Sequence, residues 1–305
     1  MIVNTNVKYN SIILKSDINM LMLHYPFLKV MTIGYSVLEK PIQCLKIGNG
    51  ENKVFYIAST HANEWICSNI LMKFMEDLCI AYNRNSNIYG YNIRRLLGRT
   101  TLYVCPMLNP DGVDLLNGEI NTNSKEYRFA KYVSNKYPNI KFPNGWKANI
   151  NGVDLNLQFP AGWSMAKKIK FSQGVTSPAP RDFVGEGPLT EPEARAIYNF
   201  TKANNFSLAI TYHTQGREIY WQYKDYAISN SKEIGRKFAN ASGYTLADVP
   251  YESSFAGYKD WFIQEFKNPA YTIEAGYGES PLPLSQFNSI YKENIGILIL
   301  GLYLQ

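Results

Sequence analysis

Lys53-Val-Phe-Tyr-Ile-Ala58 runs straight into Ser59-Thr-His-Ala-Asn-Glu-Trp65, and Ile66, Ile70, Leu71, Phe74, Met75 and Leu78 follow at helical spacing. An apolar run, a polar turn and an amphipathic helix make a strand–turn–helix unit, the repeating piece of an α/β fold. Working outward, Ile42-Gln-Cys-Leu-Lys-Ile47 and Thr101–Pro106 are further strand patterns. Gly48-Asn-Gly-Glu-Asn52, between two of them, has hairpin-turn chemistry, and its Gly-x-Gly is no phosphate cradle because a strand follows it. Asn109-Pro-Asp-Gly112 reads as a turn, and Thr190-Glu-Pro-Glu193 as a capping box opening a helix to about Lys202. Ser207–Tyr212 and Tyr271–Ala275 are strand patterns, 229–242 is a helix stopped at Gly243, and 284–304 is a final helix. The alternation predicts an α/β sandwich around a mixed, largely parallel sheet. Residues 157–189 are Gly/Pro-rich and aperiodic, and are expected to be an irregular wall or lid of a cleft.

Neither a repeat nor a linker divides the 305 residues, so one domain is expected: residues 1–39 as an N-terminal segment packed on a catalytic domain of 40–305. Hydrophobic residues are 46% and charged residues 18%, which excludes a disordered chain. A net charge of +6 without any Lys/Arg run of five gives no nucleic-acid footprint, though acidic substrates fit it. The four cysteines form no Cys-x-x-Cys pair and lie in apolar stretches, as buried free thiols do. The longest apolar run, Ile295–Leu304, is ten residues. That is half of the roughly 20 a membrane span needs. No basic start leads into an apolar segment, so the expectation is a soluble chain, cytoplasmic or else released or spore-associated by a non-standard route. No partner protein is implied. The absence of Gly-x-Ser-x-Gly, His-Glu-x-x-His and P-loop motifs removes the usual serine-hydrolase, zincin and nucleotide chemistries.

The chain has three histidines. His24, in Leu-Met-Leu-His-Tyr, is expected to be packed or capping. His61 and His213 each follow a strand run, at the sheet edge where α/β proteins bind ligands. Glu64 is three residues after His61 and can reach the same ion. Two imidazoles and one carboxylate leave a fourth position open, as catalytic zinc sites do; the alternative is a satisfied polar cluster. Glu274 ends the Tyr271-Thr-Ile run, where a carboxylate can accept a proton from water and deliver it to a leaving amine.

His61-Ala-Asn-Glu64-Trp65, Asn109-Pro-Asp-Gly112, Gly152-Val-Asp-Leu-Asn156, Tyr212-His213-Thr-Gln-Gly216 and Thr272-Ile-Glu274 occur in this order in zinc carboxypeptidases, which the chain resembles over residues 40–300. The resemblance implies a single α/β/α domain with a central eight-stranded mixed, mostly parallel sheet. It implies one zinc per chain on His61, Glu64 and His213, with Glu274 as general base and acid. It makes Asn156 a holder of the substrate carboxyl group and Tyr251 a mobile tyrosine closing over substrate. Three departures stand out. Leu157 and Asn63 occupy places where digestive members carry arginines, and Lys147 follows Trp146 where they carry the arginine that stabilises the oxyanion. Lysine supplies the charge without the bidentate fork.

Trp146-Lys-Ala-Asn149, Gly152–Trp163, Ala256-Gly-Tyr-Lys-Asp-Trp261 and Gly278-Glu-Ser-Pro-Leu-Pro283 are similar to bacterial γ-D-glutamyl-diamino-acid peptidases, without the LysM repeats that members often carry. The implied substrate is a peptidoglycan stem peptide or similar small peptide. Lys259, just before Asp260-Trp261, corresponds to a specificity-pocket position; there it would favour a substrate carboxylate and so meso-diaminopimelate over lysine, unless it faces solvent or pairs with Asp260. A carboxypeptidase or N-acyl amino acid deacylase on another peptide-like substrate, and a silent wall-binding relative, are the alternatives. The complete ligand set and Glu274 speak against the last.

Overall fold

In the computed structural model, which describes residues 1–304, the chain runs α1 (Ser11–His24), β1 (Lys29–Tyr35), β2 (Pro41–Ile47), β3 (Asn52–Ala58), α2 (Ile66–Arg84), β4 (Asn87–Ile88), β5 (Tyr91–Asn92), α3 (Ile93–Leu97), β6 (Thr100–Cys105), α4 (Pro110–Asn117), α5 (Lys125–Asn135) and α6 (Trp163–Ser172). It continues through α7 (Pro192–Lys202), β7 (Leu208–His213), β8 (Glu218–Tyr220), α8 (Ser231–Ser242), β9 (Thr245–Ala247), α9 (Tyr258–Phe266), β10 (Ala270–Glu274) and α10 (Phe287–Tyr303). Eight strands form one sheet in the order β1-β2-β6-β3-β7-β10-β8-β9. β6, β3, β7 and β10 are parallel neighbours, β9 is parallel to β8, and the remaining pairings are antiparallel.

The central strands are covered on both faces, so they lack polar alternation. Along β3, Val54, Tyr56 and Ala58 enter one core with α1, α2, α8 and α10, while Phe55 and Ile57 enter the other with α7 and α9. The α/β/α sandwich is thus as expected, and the free cysteines are all buried. No helix among the described residues is long and apolar enough to cross a membrane. His24 is exposed in the last turn of α1, with Nδ1 2.8 Å from the Met20 carbonyl oxygen, a capping contact.

Four local expectations are corrected. Gly48–Asn52 is no hairpin turn, because β6 lies between β2 and β3. A Cβ on Gly50 would come within 1.8 Å of the Arg99 carbonyl carbon, so the connection grazes the start of β6. Asn109-Pro-Asp-Gly112 begins α4: Asn109 caps it by accepting from Gly112 N at 3.0 Å, with Pro110 in the first turn. Thr190 caps nothing; the N-cap of α7 is Glu191, without a side-chain cap bond, and the Glu193 carboxylate instead accepts from Val37 N and Asn149 Nδ2. The segment 157–189 does wall the cleft, through Leu157, Lys170, Arg181 and Asp182, but it is not irregular throughout: it contains α6 and buries Phe159, Ala161, Phe183 and Val184, so its lack of periodicity reflects short packed pieces.

Candidate active site

The C-terminal ends of β3, β7 and β10 meet at one edge of the sheet. His213 closes β7 and sits in register with Glu274, which closes β10, while Ala58 at the end of β3 faces Tyr212. Past Ala58 the chain makes a 3-10 turn, Ala62–Glu64, before α2. That turn is held from two sides. Ala62 N donates to Lys147 O at 3.0 Å, and Asn109 Nδ2 donates to Ala148 O at 3.0 Å and Thr60 O at 3.3 Å. The closeness rests on Gly112, where a Cβ would lie 2.7 Å from Ala148 O and 2.8 Å from the Ala62 Cβ.

His61, Glu64 and His213 converge as expected. His61 Nδ1 is 3.0 Å from Glu64 Oε1, His213 Nδ1 is 2.9 Å from Glu64 Oε2, and the two Nδ1 atoms are 3.2 Å apart. All three residues are buried. Tetrahedral zinc with bonds of about 2.0–2.1 Å separates its ligand atoms by roughly 3.3 Å. Two imidazole nitrogens 3.2 Å apart, each about 3 Å from a Glu64 oxygen, make the compact nitrogen and carboxylate donor set that zinc takes. The donor set therefore fits zinc in both spacing and chemistry.

Asp154, which the sequence reading passed over, completes the arrangement. Its Oδ1 accepts from Asn156 N and lies 3.1 Å from His61 Nε2, and its Oδ2 accepts from Asp182 N at 3.1 Å. A carboxylate on the far nitrogen fixes ring orientation in metal-binding histidines. The signal was available in Gly152-Val-Asp-Leu-Asn156, two residues before Asn156.

Electrostatics follow from burying so many charges together. Burial alone would raise the Glu64 carboxyl, but His61, Lys147 and His213 hold it well below the ordinary range. Burial would lower His61, yet the Glu64 and Asp154 charges lift it to about 9. Asp154 is depressed: burial opposes ionisation, and the charge and hydrogen bond of His61 outweigh it. Glu274 is the exception, raised by burial and by the negative charge of Glu64 against the pull of His213.

Two chambers with four lining residues in common open at this edge. The inner one, of about 180 Å³, has Asn156, Lys170, Lys259 and Asp260 in its wall. The outer one, of about 430 Å³, has Asn63, Lys141 and Glu279. Lys147, Arg181, Tyr220 and Glu274 border both. Lys147 Nζ lies 2.9 Å from Glu64 Oε1. Asn156 Oδ1 accepts from Tyr258 N at 3.3 Å. Lys259 is buried and donates to Asp260 Oδ1 at 2.5 Å and Gln222 O at 2.7 Å, so its charge is balanced by its neighbour. Tyr251 is 62% exposed, edge-on to Phe255, outside both chamber walls but close in sequence to Val249 and Ser253, which line the inner one. Arg181 and Tyr220 were not singled out from sequence; Arg181 lies in the aperiodic 157–189 stretch and Tyr220 on a three-residue strand.

The sequence profile of the zinc carboxypeptidase family matches residues 14–296. The γ-D-glutamyl-L-diamino acid endopeptidase 1 of Lysinibacillus sphaericus is 42% identical over 304 residues, which is 99% of this chain and 74% of the relative. Among solved structures, bovine thrombin-activatable fibrinolysis inhibitor superposes with a TM-score of 0.70 at 19% identity, over 98% of this chain and 97% of that one. Carboxypeptidase A from Helicoverpa armigera gives 0.71 at 18% identity, over 97% and 73%. The structural likeness establishes the fold, and the profile spanning the sheet and its metal-binding edge establishes more: the chain belongs to the zinc carboxypeptidase family and is a zinc metallopeptidase.

Proposed function

We propose that this chain hydrolyses the γ-D-glutamyl–diamino acid amide bond of peptidoglycan stem peptides. The observation that carries the reading is the 42% identity, across 99% of this chain, to a relative named for that bond. The cleft is compatible with it: Asn63 and Leu157 stand where digestive relatives carry arginines, so their grip on a free C-terminus is absent.

In this proposal His61, Glu64 and His213 hold the metal. Zinc, when bound there, supplies Lewis acidity toward a carbonyl oxygen and acidifies water. Glu274 takes the proton of an attacking water and passes it to the departing amine, and its raised pKa suits both halves of that transfer. Lys147 offers its ammonium to the developing oxyanion, steadied by Glu64. Asn156 and Lys259 position the diamino acid in the inner chamber; Lys259 has two of its three donors committed, leaving one for substrate. Tyr251 closes from the rim. Residues 1–39 serve as a packed N-terminal segment of the 40–305 catalytic domain, supported by the β1–β2 pairing and by Ser11 N donating to Asp114 at 2.9 Å.

Mass spectrometry of a digest of L-Ala-γ-D-Glu-meso-diaminopimelate tests the reading. Release of L-Ala-D-Glu and diaminopimelate is expected, with the lysine analogue cut more slowly. Release of ordinary C-terminal L-amino acids from α-linked peptides, with the γ-linked bond intact, would overturn it.

A further inference from the structure

Four lysine and arginine side chains border the inner chamber, and each meets a carboxylate. Lys147 faces Glu64, Lys170 is 2.7 Å from Asp182, and Lys259 is 2.5 Å from Asp260. Arg181 differs. Its Nε donates to Asp182 Oδ2 at 2.7 Å, but Asp182 already serves Lys170, so one carboxylate stands between two cations. The four N–H groups on the Nη1/Nη2 side of Arg181 meet no partner among the described residues, and the side chain is 47% exposed toward the cleft it borders.

The backbone on either side of Arg181 is tied to the site. Pro180 O accepts from Lys147 N at 2.8 Å and from Ala148 N at 2.9 Å. Asp182 N donates to Asp154, the carboxylate that orients His61. The guanidinium therefore springs from a strut fixed to the metal-binding residues, at the junction of the two chambers.

A guanidinium with Nε engaged and its outer edge free is a bidentate receptor for a planar carboxylate. We propose that Arg181 is the carboxylate grip of this cleft, holding a carboxylate of the substrate beside the scissile amide. The inference rests on the γ-linked substrate reading. Such a substrate carries three candidates: the D-glutamyl α-carboxylate, left free by the γ linkage, and the two diaminopimelate carboxylates.

The test measures kcat/KM of wild type, Arg181→Gln and Arg181→Lys on four peptides. They are L-Ala-γ-D-Glu-meso-diaminopimelate, its D-isoglutaminyl form, the form amidated at the diamino acid α-carboxyl, and the lysine analogue. Wild type is expected to lose roughly 10- to 100-fold on the peptide whose neutralised carboxylate Arg181 holds, besides the slower cutting of the lysine analogue that Lys259 brings, and the Arg181→Gln variant tells the two apart. Arg181→Gln should lose as much on the parent and become indifferent to that same neutralisation, with zinc content unchanged. Arg181→Lys should recover only part, having the charge without the fork. An equal loss on all four peptides, or no loss on the parent, would overturn the grip while sparing the substrate reading. Failure of wild type on every γ-linked peptide would overturn the substrate reading, and the grip with it.

Discussion

Glu274 and Asp154 are both buried carboxyl groups within one cluster, and their surroundings push them in opposite directions. Asp154 accepts from two backbone N–H groups and faces His61, so it stays ionised. Glu274 has no such donors among the described residues and is raised by burial and by Glu64. Pairs of carboxyls driven apart in this way divide the work of a site. Glu274→Gln should retain zinc and lose about 10²–10⁴-fold in kcat, as removal of a general base does; a loss within threefold would rule that role out. Asp154→Asn keeps an acceptor for the turn but removes the charge facing His61. Chelator competition should show about 10- to 100-fold weaker zinc binding, and unchanged affinity would make Asp154 a purely structural turn residue. The sequence made Glu274 legible because an acidic residue ending an apolar strand has little other reason to be there. Asp154 was obscured because an Asp two residues before an Asn, after a glycine, reads equally well as turn chemistry.

At the scale of elements, local sequence foresaw whatever local physics decides. β3, α2, β7 and β10 follow from runs and helical spacing, and α8 ends at Gly243, whose φ of +74° is left-handed. Part of what failed depended on distant partners. Gly48–Asn52 has the composition of a hairpin turn, and only the insertion of β6 between β2 and β3 makes it a crossing loop. β8 and β9, three residues each, are too short to announce themselves. α4 differs, because its cap is local, Asn109 accepting from Gly112 N with Pro110 in the first turn, and its packing has a consequence for the site. Its first turn presses against the 62–64 turn and Ala148 through Gly112. Gly112→Ala should therefore cost about 1–3 kcal/mol in a denaturant titration, and should also weaken zinc binding by displacing Ala62. A variant destabilised without any change in zinc affinity would show that the contact supports the fold alone.

For the whole molecule, stability and function draw on different buried charges. Glu193 borders neither chamber of the cleft and sits beside Asn149 and Val37, and burial lifts its pKa from 4.5 to about 8. The folded chain thus holds a proton there that the unfolded chain releases between those values. The stabilisation is complete below about pH 4.5 and is lost as pH rises through 8, by at most about 5 kcal/mol. Melting temperatures should accordingly fall from pH 5 to pH 9 more steeply for wild type than for Glu193→Gln; parallel slopes would contradict this. Three strand and turn ends place His61, Glu64 and His213 together, and the chemistry of the molecule depends on that convergence. Elemental analysis of dialysed protein tests that most directly, comparing wild type with His213→Ala. One zinc per wild-type chain and none in a folded His213→Ala variant is the predicted result, whereas a variant that keeps one zinc at undiminished affinity would contradict the site.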